Sequence, residues 1–128
     1  MSNIPEDLIY TKSHEWVCIE NNTATIGITD HAQSELTDIV YVELPEVGRT
    51  LSRGEQCAVV ESVKTASDIY APVAGEVLEI NPDLESSPEH VNEDPYEKGW
   101  FFKIKLDGGL DAPAVLNSSS YATEIGEG

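Results

Sequence analysis

Residues 54–75 read Gly54-Glu55-Gln56-Cys57-Ala58-Val59-Val60-Glu61-Ser62-Val63-Lys64-Thr65-Ala66-Ser67-Asp68-Ile69-Tyr70-Ala71-Pro72-Val73-Ala74-Gly75. Two short β-like runs, 56–61 and 67–71, flank a polar break that holds Lys64. Glycines stand at similar distances on either side, and Pro72 fits the end of a strand. If the runs pair, Lys64 falls at the tip of a tight hairpin with its amine in solvent. No other lysine lies within thirty residues on either side. Such a tip suits a modifying enzyme, because the backbone is reachable and the sheet below holds the turn. A lysine in a surface turn is also common and by itself implies no function. Glu61 and Asp68 bracket it with negative charge, which keeps a free amine protonated. Acylation there requires an activated donor, and it replaces the charge with an amide-linked arm.

Outward from the hairpin, short alternating runs continue. Residues 15–20 and 23–28 are predicted strands joined by Asn21-Asn22, since Asn tolerates the left-handed backbone region. Thr29 is placed to cap a short helix over 30–36, with Asp30 near its positive end. Residues 39–44 are rich in β-branched and aromatic side chains; Pro45 stops that strand and Gly48 permits a turn. Gly75 opens a strand over 76–80. The stretch 81–99 carries Pro82, Pro88 and Pro95 among several acids, and Ser87-Pro88-Glu89 predicts a short helix with Pro88 at its first position. Residues 100–106 return to strand character. The Gly- and Ser-rich tail, 107–128, has room for short weak helices. Many short strands with turns between them predict a mainly β protein, a sandwich or flattened barrel with a few short peripheral helices.

The chain has 128 residues, enough for one modest domain. Its 24 acids against 7 bases give a formal net charge of −17. That surface repels nucleic-acid phosphates and anionic membranes, and it suits basic rims on partner proteins. The same balance would also serve solubility alone, or reflect an acidic proteome. Cys18 and Cys57 form no C-x-x-C pair and read as small buried hydrophobes. No run approaches the ~18 apolar residues of a membrane span, and the N-terminus has neither a secretory nor an Arg-rich leader pattern. A monomer in the cytoplasm is expected. No metal-ligand spacing, phosphate-binding glycine loop or supported catalytic pair stands out. His14 beside Glu15 is the nearest candidate, but on a strand the two would point to opposite faces.

The pairing of Glu61-Ser62-Val63-Lys64 with Ala71-Pro72-Val73-Ala74-Gly75 closely resembles the biotinyl/lipoyl attachment hairpin. Biotin carriers usually flank their lysine with Met; here the flanks are Val63 and Thr65. Lipoyl domains of the 2-oxoacid dehydrogenases usually carry Asp-Lys-Ala and are shorter. The outer segments are more specific. Tyr10-Thr11-Lys12-Ser13-His14-Glu15-Trp16-Val17 is similar to the opening of the glycine cleavage H-protein family. So is Ala24-Thr25-Ile26-Gly27-Ile28-Thr29-Asp30-His31-Ala32-Gln33. Val42-Glu43-Leu44-Pro45 with Gly48, and Val91-Asn92, Asp94-Pro95-Tyr96 and Gly99-Trp100, match later family blocks. The resemblance runs in order over about 10–105 and becomes loose from Asp107 onward.

It implies one lipoyl-carrier domain over 1–128, a barrel-sandwich hybrid, and a carrier rather than an enzyme. Lys64 would carry one covalent lipoate. A glycine decarboxylase (the P-protein) would load an aminomethyl group, an aminomethyltransferase (the T-protein) would remove it, and dihydrolipoyl dehydrogenase (the L-protein) would reoxidise the dithiol. Glu61 and Gly75 would help the lipoate-attaching enzyme recognise the hairpin; Gly75 would also need a backbone conformation closed to other residues. Ser13, Glu15 and Asp68 match positions of a cleft that shields the loaded arm, where carboxylates would accept charge-assisted hydrogen bonds from an ammonium group. Glu15 and Asp68 read equally well as ordinary surface acids. Two other readings share these residues: an H-like relay that passes lipoate to 2-oxoacid dehydrogenases or another redox system, and a structural β-domain with an unmodified Lys64.

Overall fold

Alternation of apolar and polar side chains produces the longer strands, and the apolar faces of two sheets close on each other. A computed structural model describes residues 3–106 and 116–126. The strands are β1 (Ile9–Tyr10), β2 (Glu15–Glu20), β3 (Thr23–Ile28), β4 (Ile39–Glu43), β5 (Thr50–Leu51), β6 (Gln56–Ser62), β7 (Ala66–Tyr70), β8 (Gly75–Ile80) and β9 (Phe102–Leu106). Four short helices accompany them: α1 (Asp30–Leu36), α2 (Asp83–Ser86), α3 (His90–Glu93) and α4 (Ser118–Glu124). One sheet has the order β1-β2-β3-β9-β8-β5, the other β4-β6-β7. All the pairings are antiparallel. The result is the expected sandwich of short strands with helices at its margin.

The main core lies between the sheets. Val17, Ala24, Ile26 and Ile28 from β2 and β3 meet Val42, Val60 and Ile69 from the smaller sheet, with Phe102 and Ile104 from β9. Leu84 of α2 and Val91 of α3 close one end of it. A second apolar cluster covers part of the larger sheet's outer side: Leu8, Tyr10, Trp16 and Tyr121 are buried there, with Tyr96 and Trp100 packed against them. Full burial of side chains of this size contributes about 1.5–3 kcal/mol each.

Local chemistry sets the connections. Asn21 and Asn22 adopt φ of 48° and 64°, as a tight hairpin turn between right-twisted strands requires. Thr29 caps α1, its hydroxyl oxygen accepting from the Ala32 amide at 3.1 Å. The 81–99 stretch departs from expectation: it holds two helical turns, and α3 starts at His90, two residues beyond Pro88. β1 and β5, two residues each, were too short to carry a periodic signal. In the tail, α4 forms as expected, capped by Asn117 through a 2.8 Å bond from the Ser120 amide. The Gly-rich start of the tail lies outside the described residues. Cys57 is buried as expected, whereas Cys18 is only partly buried.

Candidate functional site

The β6–β7 hairpin pairs Glu61 with Ala66 and leaves Ser62, Val63, Lys64 and Thr65 at its tip. Its turn is held from inside. Ser62 N–H donates to Thr65 O at 2.7 Å, and the Ser62 hydroxyl oxygen accepts from the amides of Lys64 and Thr65 at 3.1 and 3.0 Å. Val63 N–H donates to Asp38 O at 3.0 Å, which ties the tip to the connection after α1. Lys64 is exposed. Its Nζ donates to Glu35 O at 3.3 Å, near the C-terminal end of α1 where carbonyls lack helical partners. Glu61 is exposed on β6.

A cavity of about 240 Å³ opens beside this tip, lined by Ser13, His14, Ile28, His31, Ala32, Glu35, Leu36, Ser67 and Ile69. Helix α1 forms one wall and β7 another, with the segment before β2 contributing Ser13 and His14. Glu35 belongs to this lining and also accepts from Lys64. The lining combines aliphatic side chains, Ile28, Ala32, Leu36 and Ile69, with polar ones, Ser13, Ser67, Glu35 and the two histidines. That combination fits an arm with a hydrocarbon stem and a polar tip.

Glu15 is fully buried, so it is not a surface acid. Its Oε1 accepts from the hydroxyls of Thr11 and Ser13 at 2.5 and 2.6 Å, and its Oε2 from the Tyr70 amide at 3.3 Å. Burial pushes its carboxyl above the ordinary range, opposed by those hydrogen bonds. The carboxylate faces a neighbouring hollow of about 460 Å³ whose lining includes Thr11, Ser13, Glu15, Arg53 and Tyr70. Ser13 lines both hollows. Asp68 is exposed, while its strand neighbours Ser67 and Ile69 line the cavity beside Lys64; alternation along β7 sends its side chain to the opposite face. The structure thus brings Ser13 and Glu15 together and sets Asp68 apart from them.

Gly75 stands at the start of β8, opposite Leu106 of β9. A Cβ there would lie 1.9 Å from Lys105 O and 2.6 Å from Ile104 Cγ2, and φ is +155°. Glycine is required at this position by strand packing. His14 is not on a strand: it precedes β2 with φ of 72°. The backbone turn sends its ring toward Tyr121, whose hydroxyl lies 2.8 Å from Nδ1. His14 and Glu15 still do not meet, for a different reason than strand alternation. Tyr70 and Tyr121 were not readable as site residues, because their contacts join segments distant in sequence, whereas Thr11 meets Glu15 only four residues on through a turn that the sequence did not signal.

Comparison with known proteins agrees with this geometry. The family model described as glycine cleavage H-protein matches residues 8–127. A glycine cleavage system H protein from Laribacter hongkongensis is 58% identical over 127 residues, covering 98% of this chain and all of the relative. One from Rubrobacter xylanophilus is 53% identical, covering 99% of this chain and 98% of the relative. A crystal structure of a glycine cleavage system H protein from Mycobacterium marinum superposes with a TM-score of 0.90 at 39% identity, covering 96% of this chain and 99% of that one. With an attachment-type hairpin, a sandwich of the same shape and matches over nearly its whole length, the chain belongs to the glycine cleavage H-protein family and is a non-catalytic lipoyl carrier of the glycine cleavage system.

Proposed function

We propose that Lys64 is the lipoyl attachment residue and that the cavity beside it receives the arm. The placement of Lys64 carries the reading: it is an exposed amine on a braced turn, bonded to Glu35 of a cavity lined by both aliphatic and polar side chains. Attachment joins Nζ to an activated acyl carbon as an amide, releases the activating group and two of the ammonium's three protons, and removes the lysine's charge. Lipoate held there would supply a redox-active disulfide for carrying an aminomethyl group. The chain itself contributes position and shielding. Ile28, Ala32, Leu36 and Ile69 exclude water from the stem, while Ser13, held by Glu15, offers the ammonium tip an acceptor. Asp68, on the outer face of β7, lines neither hollow and has no contact with the folded arm in this reading.

The partners follow from the same reading: a glycine decarboxylase to load, an aminomethyltransferase to unload, dihydrolipoyl dehydrogenase to reoxidise, and a lipoate-attaching enzyme, all in the cytoplasm. Glu61 lies within reach of an enzyme seated on the tip. Gly75 affects attachment indirectly, by keeping β8 on β9. Intact and peptide mass spectrometry after incubation with a lipoate-protein ligase, ATP and lipoate tests the assignment. One lipoyl group at Lys64 is expected, and none in Lys64→Arg. A chain left unmodified while a control carrier is lipoylated overturns it.

A further inference from the structure

Two imidazoles with no part in the attachment chemistry line the cavity beside Lys64. The rings of His14 and His31 lie 5.1 Å apart between centroids. His14 is held from behind: its Nδ1 lies 2.8 Å from the Tyr121 hydroxyl, which lies 2.7 Å from Thr29 Oγ1. Thr29 Oγ1 also accepts from Ala32 N–H at the start of α1. Tyr121 is fully buried and stacks on Tyr10 at 4.8 Å, so the phenol is a fixed post. A single row of hydrogen bonds therefore links α4, the cap of α1 and the ring of His14. Two hydrogen arrangements fit this row, and we take the one in which His14 Nδ1–H donates to the phenol oxygen and Tyr121 donates to Thr29. The other nitrogen, Nε2, is then an acceptor.

We propose that His14, oriented by Tyr121, is a positioning residue for the amine carried on the Lys64 arm: its neutral ring accepts a hydrogen bond from the ammonium group, and protonation of the ring expels the arm. The inference rests on the reading that the loaded arm folds into this cavity. Burial and the neighbouring His31 disfavour charge on His14, and Glu35 of α1 and Glu124 of α4 favour it more weakly, so its pKa lies below the ordinary value. His31 Nε2 itself faces Glu35 at 3.7 Å. The other walls, Ile28 of β3 and Ser67 and Ile69 of β7, add no charge. An ammonium group against the ring acts in the same direction as His31. By linkage, protonating the ring weakens docking by the same factor that docking disfavours the proton.

The test uses the lipoylated chain, free and after loading with glycine and its glycine decarboxylase. Imidazole nitrogen and side-chain methyl resonances are followed from about pH 8 to about pH 5, the span in which histidine titrates. His14 should show the Nδ1–H tautomer and titrate at a lower pH in the loaded protein. The docked fraction, read on the methyls of Ala32, Leu36 and Ile69, should fall several-fold across that titration. His14→Gln keeps an acceptor without a titrating ring, and docking in it should not change over the same interval. Tyr121→Phe should disturb the tautomer and weaken docking. Loading that shifts the cavity methyls but leaves His14's titration unmoved overturns the proposal, as does a pH-dependent release that survives in His14→Gln, which would point to Glu15. Cavity methyls that ignore loading altogether would remove the folded-arm reading and this inference together, leaving lipoylation of Lys64 untouched.

Discussion

Glu15 shows how one residue can be arranged against its own charge. Two hydroxyls and an amide are aimed at its carboxylate, yet complete burial still raises its pKa. A group whose folded-state pKa is raised favours the fold in its neutral form. Its stabilisation is complete below the unfolded pKa and is lost as pH rises through the folded pKa. Glu15→Gln, which cannot ionise, should therefore gain stability relative to the parent as pH rises from about 4, the unfolded carboxyl range, toward neutrality, read as denaturant midpoints at each pH. A constant offset across that range would mean that Glu15 is as readily ionised in the fold as in the unfolded chain. In the loaded carrier the same burial strengthens any bond to an ammonium group, because little water competes. Cys57 is simpler: burial pushes its thiol up to about 12, and native protein should alkylate there far more slowly than denatured protein.

At the scale of elements, the strain and close contacts lie where segments join. Thr37 ends α1 with φ of 66° and ψ of −147°, a conformation that a β-branched residue adopts only under constraint. Its place is held by neighbours: Thr37 N–H donates to Gln33 O at 2.9 Å, and Thr37 O accepts from Asn92 Nδ2 at 2.8 Å. Thr37→Gly should raise stability by about 1–2 kcal/mol, measured by urea unfolding. Gly27 on β3 has the opposite logic. A Cβ there would lie 2.6 Å from the Trp16 indole nitrogen, which itself donates to Pro95 O at 2.9 Å. Gly27→Ala should cost on the order of 1–3 kcal/mol by overpacking and shift the tryptophan fluorescence. Thr29→Ala removes a helix cap and a partner of buried Tyr121 together, and should cost about 1–2 kcal/mol in thermal unfolding, with Thr29→Ser recovering most of it.

The whole molecule combines a rigid sandwich with a strongly acidic surface. One sheet supplies the hairpin that raises Lys64, and the other supplies the floor from which Ser13 and Glu15 rise. A carrier that visits several enzymes gains from long-range charge, which steers encounter without fixing the partner tightly. At −17, association with basic partner surfaces should weaken several-fold between about 0.05 and about 0.3 M salt, as the screening length shortens. Steady-state KM for this protein as substrate of each partner enzyme, followed against salt, measures it. A KM insensitive to salt would mean that docking depends on shape and apolar contact instead.

What the chain determines by itself is local. Alternating apolar residues dictate β2, β3, β6 and β8; Asn21-Asn22 and Thr29 dictate a turn and a cap; and the spacing around Lys64 places it at a hairpin tip, because each of these depends on neighbours a few residues apart. Ordered family blocks add the identity of the carrier. Tertiary structure alone decides the rest. The burial of Glu15 requires β2, the 11–13 turn and β7 to converge. Gly75 is needed because β9, thirty residues later, passes against its Cα. His14 leaves the strand in a turn closed by its own N–H on Thr11 O, and only the fold brings its ring to Tyr121, 107 positions away. Contacts between distant segments leave no period in a sequence, so a site built from them becomes readable only once the sheets have closed.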